Sequence, residues 1–474
     1  MIAGLKPYLG MKDSGVPWLG QIPAEWSVER SKWIFRKMDR PPRDNDEVVT
    51  CFRDGTVTLR RNRRMTGFTE ALQETGYQGI RRGDLVIHAM DAFAGAIGVS
   101  DSDGKGTPVY SVCKPMALAN PYYYAYTLRE MARSRWIEVL ARGVRERSTD
   151  FRFDEFARQV LPVPPIADQD AIVRFLDNAD RRIRRYIRAK QKLIGLLEEQ
   201  RQAIIHCAVT RGLNPNVRIT PSGIEWMDDI PAHWTTCRLR ETARGCFNGV
   251  WGEEPNGQDD LVCVRVADFE RERRRVNLDQ PTIRAIAPNL RRVRLLLRGD
   301  LLIEKSGGGD QQPVGMVVLY DNDISAVCSN FIARMPVAEG FDPGYLVYVH
   351  EYLYAIRLNT RSIKQTTGIQ NLDSDSYLGE PMAFPPLGEQ GFIVQYLDRE
   401  TTRIAAGIDS ARREIELLRE FSVRLVADVV TGKLDVREAA ARVPVEPDEL
   451  DDDADQSVEE AEEDLDAELE EVEV

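Results

Sequence analysis

Few residue groups in this 474-residue chain have the types and spacing that chemistry needs. The stretch "GDLLIEKSGGGD" (299–310) holds Asp300, Glu304 and Lys305, which imitates the acidic set of a metal-dependent nuclease. On a strand, a metal-binding glutamate and its lysine must stand two apart to share a face. Here they are adjacent and point to opposite faces. "HEYLY" at His350 begins like a zinc motif but carries Tyr354 where the second histidine must stand. No G-x-x-x-x-G-K-[ST] phosphate loop occurs, since Lys105 is followed by Gly106 and Lys433 by Leu434. Asn120-Pro121-Tyr122 lacks the second proline of the [DNS]-P-P-[YF] element used in adenine methylation. The four histidines (88, 206, 233, 350) are scattered. These residues point to a chain that binds and does not itself react.

Binding chemistry is better served. Ser306, Gly307 and Gly308, with Gly309, let the backbone approach a phosphate closely. Lys305, Gln311 and Gln312 beside them can reach a phosphate or a base edge, glutamine being suited to adenine in the major groove. A second polar loop, "RSIKQTTGIQN" (361–371), offers Lys364, Gln365, Thr366 and Thr367. Its counterpart in the first half, "GVRERSTD" (143–150), offers Arg145, Arg147 and Ser148. Arginine clusters stand at "RDGTVTLRRNRR" (53–64, with Arg60, Arg61, Arg63 and Arg64), "RRIRRYIRAKQK" (181–192) and "ERERRRV" (270–276). Each alone reads as a solvated face; several in one body favour a nucleic-acid partner. The net charge of −13 hides this basic body. Residues 441–474 carry 17 acids against one arginine, which leaves 1–440 at about +3. With no aromatic residue and few apolar ones, 441–474 is expected to be an acidic disordered tail.

What positions these residues is a duplication. "DSGVPWLGQIPAEWSVER" (13–30) and "PSGIEWMDDIPAHWTTCR" (221–238) share Ser, Gly, two Trp, Ile-Pro-Ala and Arg at an offset of 208. "RRGDLVIHA" (81–89) answers "LRGDLLIEK" (297–305), "NPYYYAY" (120–126) answers "DPGYLVY" (342–348), and "VPPIADQDAIVRFLD" (163–177) answers "FPPLGEQGFIVQYLD" (384–398). Insertions therefore fall in loops while the framework stays in step. Each copy opens with short apolar runs bounded by Gly, Asp and Pro, which predict strands. One helix is capped at Asn120-Pro121 or Asp342-Pro343. Each copy closes with a long helix after a double proline. Ile172, Leu176, Ile183, Ile187, Ile194, Leu197 and Ile204 form a narrow stripe, matched in spacing by Ile393, Leu397, Ile404, Ile408, Ile415, Leu418 and Leu425. Lys190 and Ala411 are its weak middle positions. That is the seam of a coiled coil. A helix of about 43 residues is on the order of 60 Å long.

The predicted class is α+β: two globular domains joined by two long helices pairing as an antiparallel coiled coil, with pseudo-two-fold symmetry. The expected segments are a mounting piece (1–30), a first domain (31–162), a first spacer helix (163–215) and a repeated mounting piece (216–238). A second domain (239–383), a second spacer helix (384–440) and the tail (441–474) follow. The tryptophans of the mounting pieces, flanking an Ile-Pro that blocks helix formation, are expected to clamp each domain onto its helix. Seven cysteines without a C-x-x-C pair, no apolar run of eighteen residues and no apolar leader segment suit a reduced cytoplasm and no membrane.

These motifs resemble the specificity subunits of type I restriction-modification systems. The D-S-G-[IV]-x-W-[LM]-G-x-I-P-x-x-W opening at 13–26 carries the likeness, repeated more weakly at 221–234. So do "GDLLIEKSGGGDQQPVGMVVLY" with "AVCSNFIARM", "PPLGEQGFIVQYLDRETTRIAAGID" and "VVTGKLDVRE". Asp228-Asp229 depart from the Gly-Glu common there, and the acidic tail lies outside the pattern. The resemblance implies target-recognition domains that each read one half of a bipartite double-stranded DNA sequence, with the helices setting the gap. It also implies two methyltransferase subunits that carry S-adenosylmethionine and modify adenine, and two ATP- and Mg-dependent translocase-nuclease subunits in a system that restricts. This chain would be non-catalytic and bind no cofactor itself, serving defence against foreign DNA by addressing alone. Half-site centres one duplex turn apart, roughly 34–36 Å, are expected. The rival readings are a coiled-coil protein scaffold and the recognition part of a methyltransferase-nuclease enzyme.

Overall fold

The computed structural model describes residues 5–63, 75–116, 119–140, 150–309, 311–366 and 369–444. The chain separates into two compact units: Met1–Ala189 with Glu414–Val474, and Lys190–Arg413. Four helices organise them: α1 (Pro121–Arg133), α2 (Ile166–Arg211), α3 (Pro343–Ala355) and α4 (Leu387–Val430). The long helices α2 and α4 start directly after Pro164-Pro165 and Pro385-Pro386. They stop just before Gly212 and Gly432, whose φ values of 73° and 75° suit only glycine readily. The division between units runs through these helices and not at their ends. Each unit thus contains one globular domain, the start of one long helix and the end of the other. The expected tail lies outside the described residues from 445 onward; before it, Arg437–Ala441 forms a short helix.

In the first unit an antiparallel sheet has the order Phe35–Lys37, Tyr110–Pro115, Leu85–His88, Ile97–Val99. A hairpin, Val49–Cys51 with Val57–Leu59, runs beside its last strand through a parallel bridge from Val57 to Ser100. The second unit repeats that order with Phe247–Asn248, Ile332–Met335, Asp300–Glu304 and Val317–Tyr320. Its hairpin, Phe269–Glu270 with Arg275–Val276, again lies parallel to the last strand, through Arg275 and Leu319.

Every expected stripe position on α2 and α4 is buried or half-buried, including Ala411. In the first unit Ile172, Phe175 and Leu176 at the start of α2 share one core with Leu425, Val429 and Val430 at the end of α4. In the second unit Ile393 and Leu397 at the start of α4 share a core with Ile205, Ala208 and Val209 at the end of α2. Within each unit, then, the head of one helix meets the tail of the other.

The repeated openings do seat each domain, but not on the helix that follows it. Trp26 is wholly buried and its ring comes close to Gly432, past the end of α4, and Trp234 sits likewise against Gly212, past the end of α2. The reason is register: the strand Ser27–Arg30 pairs with Val160–Val163, and Thr235–Arg238 pairs with Pro381–Phe384 in the same alignment. That pairing leaves the adjoining tryptophan facing the incoming helix tail.

Polar side chains, half-buried at the caps and buried at the helix ends, lock the seats. The Asn120 side chain accepts from the N–H of Tyr122 at 2.9 Å, and Asp342 accepts from Tyr345 at 3.0 Å, capping α1 and α3. Tyr123 donates its hydroxyl to the Val430 carbonyl at 3.1 Å; Tyr345 donates to Val209 at 3.4 Å. These bonds close helix-end carbonyls that have no partner within their own helix.

Candidate nucleic-acid interface

The two polar segments of the second half, expected as separate loops, meet in one small sheet. Ile363–Thr366 and Ile369–Leu372 form a hairpin, and Ser306–Gly307 adds a third strand to it, Ser306 opposite Asn371 and Gly307 opposite Gln370. The expectation of free loops is corrected here. Ile363, Ile369 and Leu372 among polar neighbours, around Thr-Thr-Gly, favour a hairpin, and Gly307, with no side chain, lets a third strand approach. Lys305 reaches Asn248 Oδ1 at 2.6 Å, Ser306 Oγ donates to Asn371 Oδ1 at 2.6 Å, and Lys364 reaches Asp373 Oδ2 at 2.7 Å. The hydrogen bond to Asp373 pushes the Lys364 pKa up and holds the Asp373 carboxyl below its usual range. Thr366 pairs with Ile369 through its backbone, and Thr367 lies outside the described residues.

Beyond Gly307 the chain doubles back. Gly308 has φ 59°, and a Cβ there would stand 2.8 Å from the Val314 nitrogen, so this position needs glycine. Gly309 N–H donates to the Gln312 carbonyl at 3.0 Å. Gln311 and Gln312 are exposed at the tip. A hollow of about 350 Å³ beside it is lined by Pro313, Arg357, Thr360, Ile363, Gln365 and Gln370. Asn248, Arg357 and Asn371 therefore belong to this surface, although sequence reading did not select them; Gln370 is buried beneath it and accepts the Val314 N–H at 3.3 Å. Gln370 and Asn371 were already visible in the polar stretch; Asn248 and Arg357 come from distant segments and leave no local signal. Amide side chains of this kind match base edges, and lysines match phosphates.

The acidic set beneath this surface does not converge. Asp300 takes Arg334 Nε at 2.6 Å and the Leu297 N–H at 2.6 Å. Glu304 is buried, which raises its pKa, and pairs with Arg271 at 3.1 Å. His350 bonds Tyr377 at 2.8 Å inside the core. Among the described residues no group of three His, Cys, Asp or Glu could hold a metal ion.

In the first unit Arg60–Asn62 forms a single 3-10 turn. Arg60 Nε donates to Thr50 Oγ1 at 3.4 Å and Arg61 pairs with Glu47 at 2.7 Å. Arg63 pairs with Asp54 at 2.7 Å, its guanidinium 4.4 Å above the Phe52 ring. Arg64, Arg145, Arg147 and Ser148 lie outside the described residues. The 270–276 cluster is split: Arg274 is buried, while Arg273 and Arg275 stay exposed, Arg273 pairing with Glu270 at 3.2 Å and Arg275 with Asp321. On α2, Arg181, Arg182 and Arg185 are exposed, and Arg184 pairs with Asp180 at 2.9 Å. Among the described residues no helix is long and apolar enough to cross a membrane.

No protein-family model matches the chain. It is similar to the specificity subunit of the type I restriction enzyme StySPI from Salmonella potsdam, 22% identical over 288 residues, 60% of this chain. The match spans only 59% of that curated relative's length. Its fold matches that of a chain in a structure of complex assembly and conformational transition of the type I R-M system. There the TM-score is 0.64 and the identity 17%, over 86% of this chain and 98% of that one. It also matches the HsdS subunit from Thermoanaerobacter tengcongensis, with a TM-score of 0.51 and 18% identity over 87% of this chain and 98% of that one. With its duplicated framework and paired helix ends, the chain is similar to a type I restriction-modification specificity subunit and shares the fold of the solved structures named above.

Proposed function

We propose that this chain is the sequence-specific DNA-binding subunit of a type I restriction-modification complex. Each globular domain reads one half of a bipartite target, and the long helices set the gap between the halves. Two methyltransferase subunits, carrying S-adenosylmethionine, modify adenine where this chain directs them. In a system that also restricts, two ATP- and Mg-dependent translocase-nuclease subunits join them. The chain supplies address and no reactive group. The observation that carries this reading is the duplication itself: each domain sits on the head of one long helix and the tail of the other, in matched registers. A two-part reader built from one repeated unit suits a target of two half-sequences.

Single-molecule sequencing of methylated adenines in cells with and without this chain tests the proposal. A bipartite methylated motif that vanishes with the chain is expected. An unchanged methylome, or a single continuous motif, overturns it.

A further inference from the structure

The second unit carries an exposed aromatic ring on a backbone tied down from several sides. Phe331 is 46% exposed and, among the described residues, joins none of the unit's cores. It stands in a turn closed by the Ile332 N–H, which donates to the Ser329 carbonyl at 3.0 Å. Three other segments grip that turn. The Ser329 N–H donates to Val264 at 2.8 Å, and the Val250 N–H donates to Cys328 at 2.7 Å. The N–H groups of Lys305 and Ser306 both donate to the Phe331 carbonyl, at 2.7 and 3.3 Å. A Cβ on Gly249 would lie 2.1 Å from the Ser329 oxygen, so only glycine allows that approach. A ring on so fixed a backbone has little freedom left to lose on binding.

Strand register decides what lies beside it. Glu304 pairs with Ile332, and the bond from Lys305 to Phe331 carries the same ladder one step further. Successive side chains alternate, so Lys305 and Phe331 share the face opposite to Glu304 and Ile332. Asn248 pairs with Ala333, two residues from Phe331, and is therefore its diagonal neighbour on that face. Asn248 is exposed, and its Oδ1 accepts from Lys305 Nζ at 2.6 Å, which leaves the amide nitrogen to donate elsewhere. From Lys305 the chain runs straight into Ser306–Gly307 of the polar sheet, so ring and amide stand at the root of a β-ribbon. The first unit keeps the ladder with other side chains: Ala89 donates its N–H to Val109 at 3.2 Å, and Val109 is half-buried.

We propose that Phe331 and Asn248 together read one thymine of the half-sequence bound by the second domain. The inference rests on the reading of this chain as a DNA-addressing subunit. The major groove admits a β-ribbon, and thymine is the base whose edge there sets an acceptor, O4, beside an apolar group, the 5-methyl. The Asn248 amide donates to O4 and the Phe331 ring covers the methyl. Cytosine presents an amino donor and no methyl at the same places, and is rejected. With Ala89 and Val109 at the matching step, the first domain has no such ring and lysine and reads its half-sequence by other groups.

The assembled complex tests this on duplexes that carry its methylated motif. Each thymine of either strand is replaced in turn by deoxyuridine, which removes only the 5-methyl. At one thymine, in one half only, the replacement should weaken wild-type binding about fourfold, the effect of uncovering one methyl group, while Phe331→Ala and Phe331→Gln each bind both duplexes alike. Asn248→Ala should make the methylated motif degenerate, thymine or cytosine, at that same position. Both side chains are exposed, so the variants should melt within about 2 °C of wild type. The proposal is overturned if wild type binds every deoxyuridine duplex as it binds thymine, a result that needs no variant. It is also overturned if the Phe331 variants keep the sensitivity, or if Asn248→Ala relaxes a different base pair or none. In each of these cases a bipartite motif that depends on the chain leaves the addressing function standing; a methylome indifferent to the chain removes both.

Discussion

The two units agree where side chains bond to backbone and differ where side chains meet solvent. Gln169 and Gln390 stand at the same step of their long helices, and both are buried. Each accepts a backbone N–H of the cap residue at 2.8 Å, from Asn120 or Asp342. Each also donates to the first residue of the double proline, at 2.8 Å to Pro164 and 2.9 Å to Pro385. Tyr126 bonds Asp177 at 2.8 Å and Tyr348 bonds Asp398 at 2.7 Å. By contrast the second unit displays a three-stranded polar sheet, whereas Arg63 and Arg61 of the first are taken up by Asp54 and Glu47. A buried side chain that caps backbone groups must be satisfied in one geometry, and both copies keep the glutamine that does so. An exposed loop is free of that demand and can diverge toward a different target.

The comparison can be broken first at the seats. Trp26→Ala and Trp234→Ala should each cost about 3–5 kcal/mol, because both remove a large ring from a closed core. Calorimetry resolving two transitions should show only the matching unit shifted; a cost below about 1 kcal/mol at either site would mean the seats are not equivalent. A sharper contrast lies at His350, whose counterpart is Leu128; both are buried. Burial holds the His350 pKa down at about 4, against an unfolded value of about 6.5. The unfolded chain therefore takes the proton first. Stability from this group is full above about pH 6.5 and falls as pH drops to about 4, by about 3 kcal/mol in all. Acid melts should thus lower the second unit through this position, and His350→Leu should flatten that slope; an unchanged slope removes His350 as the cause.

Gln169→Leu and Gln390→Leu should each cost about 2 kcal/mol, since each strands a buried N–H and a carbonyl. Unequal costs would show that one copy has found another way to close its cap. The smallest effect is at the divergent surface. Lys364→Ala should weaken DNA binding by the assembled complex about threefold and reduce the log–log salt slope by about 0.9, with the methylated motif unaltered. A changed motif would move Lys364 from phosphate contact to base reading.

The scaffold was legible because its signals are local and repeated. Proline caps at Asn120 and Asp342, the stripe from Ile172 to Ile204 and its copy from Ile393 to Leu425 all follow from neighbours in sequence. The fate of the arginines was not legible. Arg274 pairs with Glu351, 77 positions away, and Arg63 stacks on a ring across a turn, so clusters alike in sequence end as buried links or surface turns. The joining of Ser306–Gly307 to the 363–372 hairpin is equally long-range. Nor could a stripe of uniform spacing reveal that the compact units divide inside the helices.

The closing of the first core by Leu425, Val429 and Val430 bears on synthesis. The second unit is one uninterrupted run, Lys190–Arg413, and all of its core has left the ribosome by then. The amino-terminal domain, translated first, lacks part of its interior until some 240 residues later, a wait of roughly 12–50 s at ordinary elongation rates. During that interval Trp26 and Tyr123 have no helix tail to cover them. The earliest-made half of this protein is the last to be finished.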